Sequence, residues 1–360
     1  MPAHFTLHVR LTKHCNASCS YCSSHEPDEA LAERMTPERY LLALDFIKKI
    51  IQKTKLGGDG GHLSINYIGG ELLTLPLRDL EEMVLSGRKR LKPLFKDIID
   101  GAQSNLIGSA SRIDHLTSLF GGRVGASVDH FTNQRTLHGD SRKYQTIFLK
   151  QVDTMQSNGL QHPPAILVVD RKSLPFVEEE VEMALARDYH LTLRPVFQGG
   201  SLGTHPVPID ELCRLLPAPV RWLVHEADYP AATFFPDDVG EVWRTPAQTP
   251  ADKSRWAARR HILRRFGGAR QSGQMVTQQP GLPIPGHLFQ AIRAQESLNL
   301  EPNGDLYLCM DMADSKQYLL GNALTGEWDE ALWLKMKGRP ENLHPECQTC
   351  SYRQSCQADA

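Results

Sequence analysis

Residues 5–22 read FTLHVRLTKHCNASCSYC, and the rest of the chain is best read outward from them. Phe5–Leu11 alternates apolar and polar side chains, the period of a β-strand with one covered face. Cys15, Cys19 and Cys22 follow directly, spaced C-x3-C-x2-C. Short spacings of this kind let one loop wrap a cubane [4Fe–4S] cluster, with thiolates on three irons and the fourth iron open. An open coordination position is what a catalytic metal needs to bind a small molecule. A structural zinc site is a competing reading, with His14 or His25 as the fourth ligand. A chance grouping of buried cysteines is the other.

Beyond the loop, helix-like and strand-like stretches alternate. Thr36-Pro37-Glu38 supplies an N-cap, a proline at the first helical position and an early acid. Tyr40, Leu44, Ile47 and Ile51 then recur at helical spacing, so a helix runs to about residue 54. His62–Ile68 reads as a second strand, ending at Gly69-Gly70-Glu71. Ile98–Ser104, Arg123–Val128, Ala165–Val169 and Leu191–Phe197 read as strands three to six. Helices are expected between them, roughly over 77–91, Ser111–Phe120, 144–158 and Leu174–Arg187. The nearly all-apolar fifth strand suits a parallel sheet covered on both faces. Six β/α units in series predict a parallel sheet with right-handed crossovers. Eight would close a barrel, so six predict an α/β fold built on an open, partial (β/α)6 TIM-like barrel. Active sites of such folds lie at the carboxyl ends of the strands. The cysteine loop, Gly69-Gly70-Glu71, Ser104-Asn105 and Ser127-Val128-Asp129 all fall there.

Bulk properties narrow the class. A chain of 360 residues has room for a barrel and an appendage. Its net charge of −2 supplies no field to recruit nucleic acid or an anionic membrane, so neither partner is expected. No apolar run reaches transmembrane length, and Met1–Lys13 lacks the features of a signal peptide, so a cytoplasmic location is expected. In a reducing compartment the eight cysteines read first as metal ligands, because seven of them group near the two ends. Residues 1–200 are assigned to the barrel, 201–290 to a proline-rich connecting region with helices, and 291–360 to a compact cysteine-containing appendage. Cys213 sits in an apolar helical pattern and reads as core packing. The 255–266 stretch carries five arginines and reads as a solvated helix face, with an anion-binding surface as the sharper alternative.

With Tyr21 just before the last cysteine, and a strand just before the first, the C-x3-C-x2-C loop resembles the signature of radical S-adenosylmethionine (SAM) enzymes. The resemblance implies a cluster on Cys15, Cys19 and Cys22 whose open iron chelates the amino and carboxylate groups of SAM. One-electron reduction then cleaves a carbon–sulfur bond, and the resulting 5′-deoxyadenosyl radical abstracts a hydrogen atom from substrate. The same resemblance implies SAM contacts from Tyr21, from Gly69, Gly70 and Glu71 toward the amino group, and from Ser127 and Asp129 near the ribose. It implies Arg142 at the carboxylate, and Asn105 in a similar supporting place. A one-electron reductant such as flavodoxin or ferredoxin is implied as a partner.

At the other end, Cys309 is followed by Cys347-x2-Cys350-x5-Cys356. Four cysteines can fill every iron of a second cubane or form a zinc ribbon. Asn303–Cys309, Leu320-Gly321-Asn322, a tryptophan-containing helix and C-x2-C-x5-C together resemble the SPASM/Twitch appendage of radical SAM peptide maturases, among them anaerobic sulfatase maturases. A cysteine upstream of Gly304 is lacking, and Ala360 stands where a further one would fall. The resemblance thus implies one auxiliary [4Fe–4S] cluster, on Cys309, Cys347, Cys350 and Cys356, for electron transfer or structure. A peptide or protein side chain is the implied substrate, with a small molecule such as an aminocyclitol or sugar as the alternative. Only fourteen residues precede Cys15, so a peptide substrate is expected to need a separate leader-recognition protein, a site in the 200–290 region, or no leader at all. Sulfatase maturases have an aspartate directly after the cysteine matching Cys309. Met310 stands there, leaving Asp311 and Asp314 as candidates for proton transfer. The non-enzymatic alternative is a zinc-stabilised binding protein.

Overall fold

The six predicted strands and the five helices between them form, in the predicted order. The computed structural model describes residues 4–22, 24, 33–56, 60–160, 162–187, 189, 191–196 and 297–337. The 201–290 region, with Cys213 and the arginine-rich stretch, lies outside these residues, as do His25, Cys347, Cys350 and Cys356.

Strand β1 (His4–Arg10) leads into the cysteine loop, which contains the two-residue strand β2 (Ser18–Cys19), and then into α1 (Pro37–Thr54). The chain continues through β3 (His62–Ile68), α2 (Leu77–Leu91), β4 (Asp97–Ser104), α3 (Ala110–Leu119) and β5 (Val124–Val128). After β6 (Arg135–Thr136) come α4 (Ser141–Ser157), β7 (Ala165–Val169), α5 (Val177–Ala186) and β8 (Leu191–Pro195). The α1 start is the one its sequence predicts: the Thr36 side chain accepts from the Arg39 amide and Pro37 opens the helix. Its buried stripe includes Tyr40, Leu44, Ile47 and Ile51.

Strands β1, β3, β4, β5, β7 and β8 lie side by side in chain order, all parallel. Strand β8 is a free edge among the described residues, so this is an open sheet. Side chains alternate as a strand requires. In β3, Leu63, Ile65 and Tyr67 are buried, and the Tyr67 hydroxyl meets that of Tyr40 from α1 at 3.0 Å. The alternate residues, His62, Ser64, Asn66 and Ile68, are only half-buried. Strand β7 follows the same rule: Ile166 and Val168 are less covered than its all-apolar sequence implied. Val168 is instead packed with Cys19, Tyr21 and Val196, where the cysteine loop crosses the carboxyl ends of the strands.

The described part of the appendage continues the same sheet. It comprises β9 (Ser297–Leu300), β10 (Asp305–Tyr307), α6 (Met310–Ser315), β11 (Gly321–Asn322), β12 (Glu327–Trp328) and α7 (Glu330–Lys337). Strand β9 pairs parallel with β1, from Thr6 opposite Ser297 to Val9 opposite Leu300. Strands β10, β11 and β12 then add antiparallel, making ten strands in all. Thus β1 is an internal strand, and its cysteine loop leaves from the middle of the sheet. Among the described residues, no helix is long and apolar enough to cross a membrane.

Candidate metal and cofactor site

The cysteine loop is fastened at three places. At its start, the Glu71 amide donates to the His14 carbonyl at 2.8 Å. Gly69 and Gly70 make this approach possible: both have positive φ, and a Cβ on Gly70 would lie 2.4 Å from the His14 oxygen. In its middle, the Asn105 side chain donates to Asn16 Oδ1 at 2.8 Å and lies 3.7 Å from Cys15 Sγ. Asn16 in turn donates to the Ile107 carbonyl. On its far side, β2 pairs antiparallel with β6, placing Cys19 directly opposite Arg135. The Ser20 amide donates to the Gln134 carbonyl at 2.8 Å, and the Ser20 hydroxyl to the Gln134 side chain at 2.9 Å.

Cys15, Cys19 and Cys22 form no disulfide. Burial, with the Glu71 carboxylate next, pushes the Cys15 thiol up to about 12, although the Ala17 amide donates to its sulfur at 3.5 Å. Among the described residues no three His, Cys, Asp or Glu side chains close on a single ion. Three unbridged thiols on one anchored loop are donors of the kind an iron–sulfur cluster takes. Amide donors beside a ligand sulfur also suit such a cluster.

The other predicted residues take different places. Glu71 is buried, and its carboxylate accepts from the Leu73 amide, the Ser104 hydroxyl and the Asn105 amide at 2.6–3.0 Å. It ties the ends of β3 and β4 together. Burial raises its pKa, against the three donors. Ser127 is half-buried and accepts from the Gln103 side chain at 2.9 Å. Asp129 is buried and accepts from the amide and hydroxyl of Thr132. Tyr21 is buried, with its hydroxyl turned to Arg135 at 3.0 Å. Arg142 has a different setting. It stands exposed on the first turn of α4, where its neighbour Asp140 caps the helix.

Arg135 was not singled out by sequence. It is buried opposite Cys19, its Nη1 donates to Tyr21, and its guanidinium lies over the Tyr144 ring at 5.1 Å. Its Nε is buried without a hydrogen-bond partner. Burial alone would lower its pKa, but Cys19, Tyr144 and Tyr21 beside it hold the cation well above its ordinary value. A polar loop with one arginine carries no spacing signal. Only the pairing across 114 residues of chain shows its place.

A second group lies at the seam between β1 and the appendage. Arg10 is buried and pairs with Glu301 at 3.1 Å and Asp314 at 2.7 Å. Lys13 reaches Glu301 at 3.5 Å. Burial works against the Arg10 cation, and the two carboxylates more than offset it, leaving its pKa raised. Gly69 is needed here too, since a Cβ on it would meet the Arg10 side chain at 2.2 Å. Asp314 is thus engaged in a buried ion pair. Cys309 is buried at the N-cap position of α6, the helix that carries Asp314, and packs with Tyr307, Met312 and Met336. The Asp311 side chain lies outside the described residues.

No protein-family model matches this chain, and no curated protein matches it in sequence. Solved structures do match in fold. His-tagged anSMEcpe with bound AdoMet (S-adenosylmethionine) is 14% identical at a TM-score of 0.59, covering 98% of this chain and 88% of that one. Native anSMEcpe with bound AdoMet and the Cp18Cys peptide is 16% identical at 0.58, covering 99% and 88%. Streptococcus suis SuiB bound to S-adenosylmethionine is 14% identical at 0.57, covering 100% and 73%. At such identities the likeness is one of fold. The chain shares the fold of these structures, an open, partial barrel as its motifs led us to expect.

Proposed function

We propose that this protein is a radical SAM enzyme that abstracts a hydrogen atom from a peptide or protein side chain, in an oxidation or crosslink of maturation. The observation that carries the reading is the anchored loop: Cys15, Cys19 and Cys22 held unbridged over the strand ends by Glu71, Asn105 and β6. When bound there, a cubane with one open iron supplies the electron that splits SAM into methionine and a 5′-deoxyadenosyl radical.

The chain's own residues bind and orient. The three thiolates hold three irons. Gly69 and Gly70 let the end of β3 close on the loop, where the amino end of SAM is assigned, and Ser127 and Asp129 are assigned to its ribose side. Tyr21, Val168 and Val196 pack around Cys19 and limit water at the loop. Cys309 is assigned, with Cys347, Cys350 and Cys356, to an auxiliary cluster. Of the two acids proposed for proton transfer, Asp311 keeps that role, and the ion pair of Asp314 with Arg10 favours a holding role. Support for a peptide substrate comes from the fold shared with anSMEcpe carrying both AdoMet and a peptide.

Anaerobically purified protein is expected to be brown, with about eight irons per chain if two cubanes are held. It should release 5′-deoxyadenosine from SAM when given a strong one-electron reductant. A colourless protein with stoichiometric zinc and no SAM cleavage would sink the reading.

A further inference from the structure

The β2–β6 ladder sets a buried cation against the middle cysteine of the loop. Directly opposed residues of an antiparallel pair project to one face with Cβ atoms about 4.5–5.5 Å apart, and Cys19 and Arg135 are such a pair. The guanidinium is held from behind by neutral groups, the Tyr21 hydroxyl and the Tyr144 face. Asp129 and Glu71 lie near enough to feel its charge, but their hydrogen bonds go elsewhere. Asp129 is engaged by Thr132, and Glu71 by Leu73, Ser104 and Asn105. No described carboxylate forms an ion pair with Arg135, and its Nε is buried without a partner. A buried charge without a full counter-ion is costly to keep. Opposite Cys19, this cation is placed to face an anion at the loop.

Three thiolates on an oxidised cubane leave the assembly anionic, and one added electron makes it more so. Net charge near a cluster is among the factors that set its potential. We infer that Arg135 is a positioning residue of a particular kind: the fixed positive counter-charge of the cluster on Cys15, Cys19 and Cys22, which eases its one-electron reduction by an external low-potential donor. The inference rests on the reading of the loop as a cluster site and goes beyond it in naming what tunes that cluster.

The test is a mediated redox titration of the anaerobically purified holoenzyme, comparing wild type, Arg135→Gln and Arg135→Lys. The signal followed is the reduced-cluster resonance that changes when SAM is added, which separates this cluster from any other. Arg135→Gln should retain its iron, yet show about a tenfold lower reduced-to-oxidised ratio at a given potential, or about 59 mV for one electron. Arg135→Lys, which keeps the charge, should recover most of the shift. An unmoved midpoint in iron-replete Arg135→Gln overturns the inference. So does weaker SAM binding with an unmoved midpoint in SAM-free protein, which would make the guanidinium a SAM ligand. Equal iron loss in both variants also overturns it, leaving Arg135 only as a holder of the ladder. Wild-type protein that binds no iron overturns the cluster reading itself, a distinguishable failure.

Discussion

Two arginines are buried at the carboxyl end of the parallel sheet, and they are held in opposite ways. Arg10, at the seam, meets two carboxylates and lacks nothing in charge. Arg135, at the loop, meets a hydroxyl and an aromatic face, while the Nε of both arginines is buried without a hydrogen bond. A buried cation with its full complement of anions is explained by stability and placement alone. One left short of anions is poised for something that arrives later. The contrast separates two jobs at the same end of the sheet: Arg10 joins the appendage to the barrel, and Arg135 waits at the loop.

The contrast can be broken most sharply at the cysteines. Replacing Cys15, Cys19 and Cys22 together by alanine removes the anions expected to face Arg135. SAM cleavage should be abolished, while iron analysis finds roughly half the metal kept at the other end, four of about eight irons. Complete loss of iron would mean the two sites are not independent.

The next largest effect is expected at the seam. Arg10→Met removes the cation that joins the covered carboxylates of Asp314 and Glu301. Breaking a buried pair by removing one partner costs about 3–5 kcal/mol, so denaturant midpoints should fall steeply. A change below about 1 kcal/mol, the range of an exposed pair, would show that the seam is wet.

A smaller effect separates Asp314 from Asp311. Asp314→Asn should lower stability by about 1–3 kcal/mol, the cost of a weakened buried polar contact, and leave turnover per folded molecule unchanged. Asp311→Asn should slow product formation and spare SAM cleavage. The reverse pattern would return proton transfer to Asp314.

The smallest effect is a pH dependence away from both arginines. His162 stacks on Tyr189 with ring centroids 3.8 Å apart, and its Nδ1 donates to the Pro163 carbonyl. Burial holds its pKa down at about 4. The folded protein therefore binds this proton less readily than the unfolded chain. That contribution to stability is present above the usual histidine range and is lost as pH falls from about 6.5 through about 4. His162→Phe should flatten the stability curve across this window, measured by denaturation at a series of pH values. An unchanged slope would place the acid sensitivity elsewhere.

Much of this was legible in the chain itself. Six strands and their helices follow from side-chain period, and Thr36-Pro37 marks the start of α1 where the structure begins it. The cysteine loop and Gly69-Gly70-Glu71 could be placed at strand ends because a β/α repeat fixes which ends come together. Glu71 was legible as important, but its job was not: the structure spends its carboxylate on the strand ends β3 and β4. Arg142 was legible by position and stands exposed, whereas Arg135, buried beside the loop, carried no such signal.

Sequence alone determined the order of the units, the partial barrel they build and the three thiols at its mouth. These rest on periodicity, capping and spacing, which act within a few residues and leave a local trace. Only the tertiary structure decided that β9 adds to β1, that Asp314 is engaged with Arg10, and that Cys19 lies opposite Arg135. Each of these joins segments more than a hundred residues apart. Register and burial set them, and a polar loop or a short strand carries no local signal of the partner it will meet.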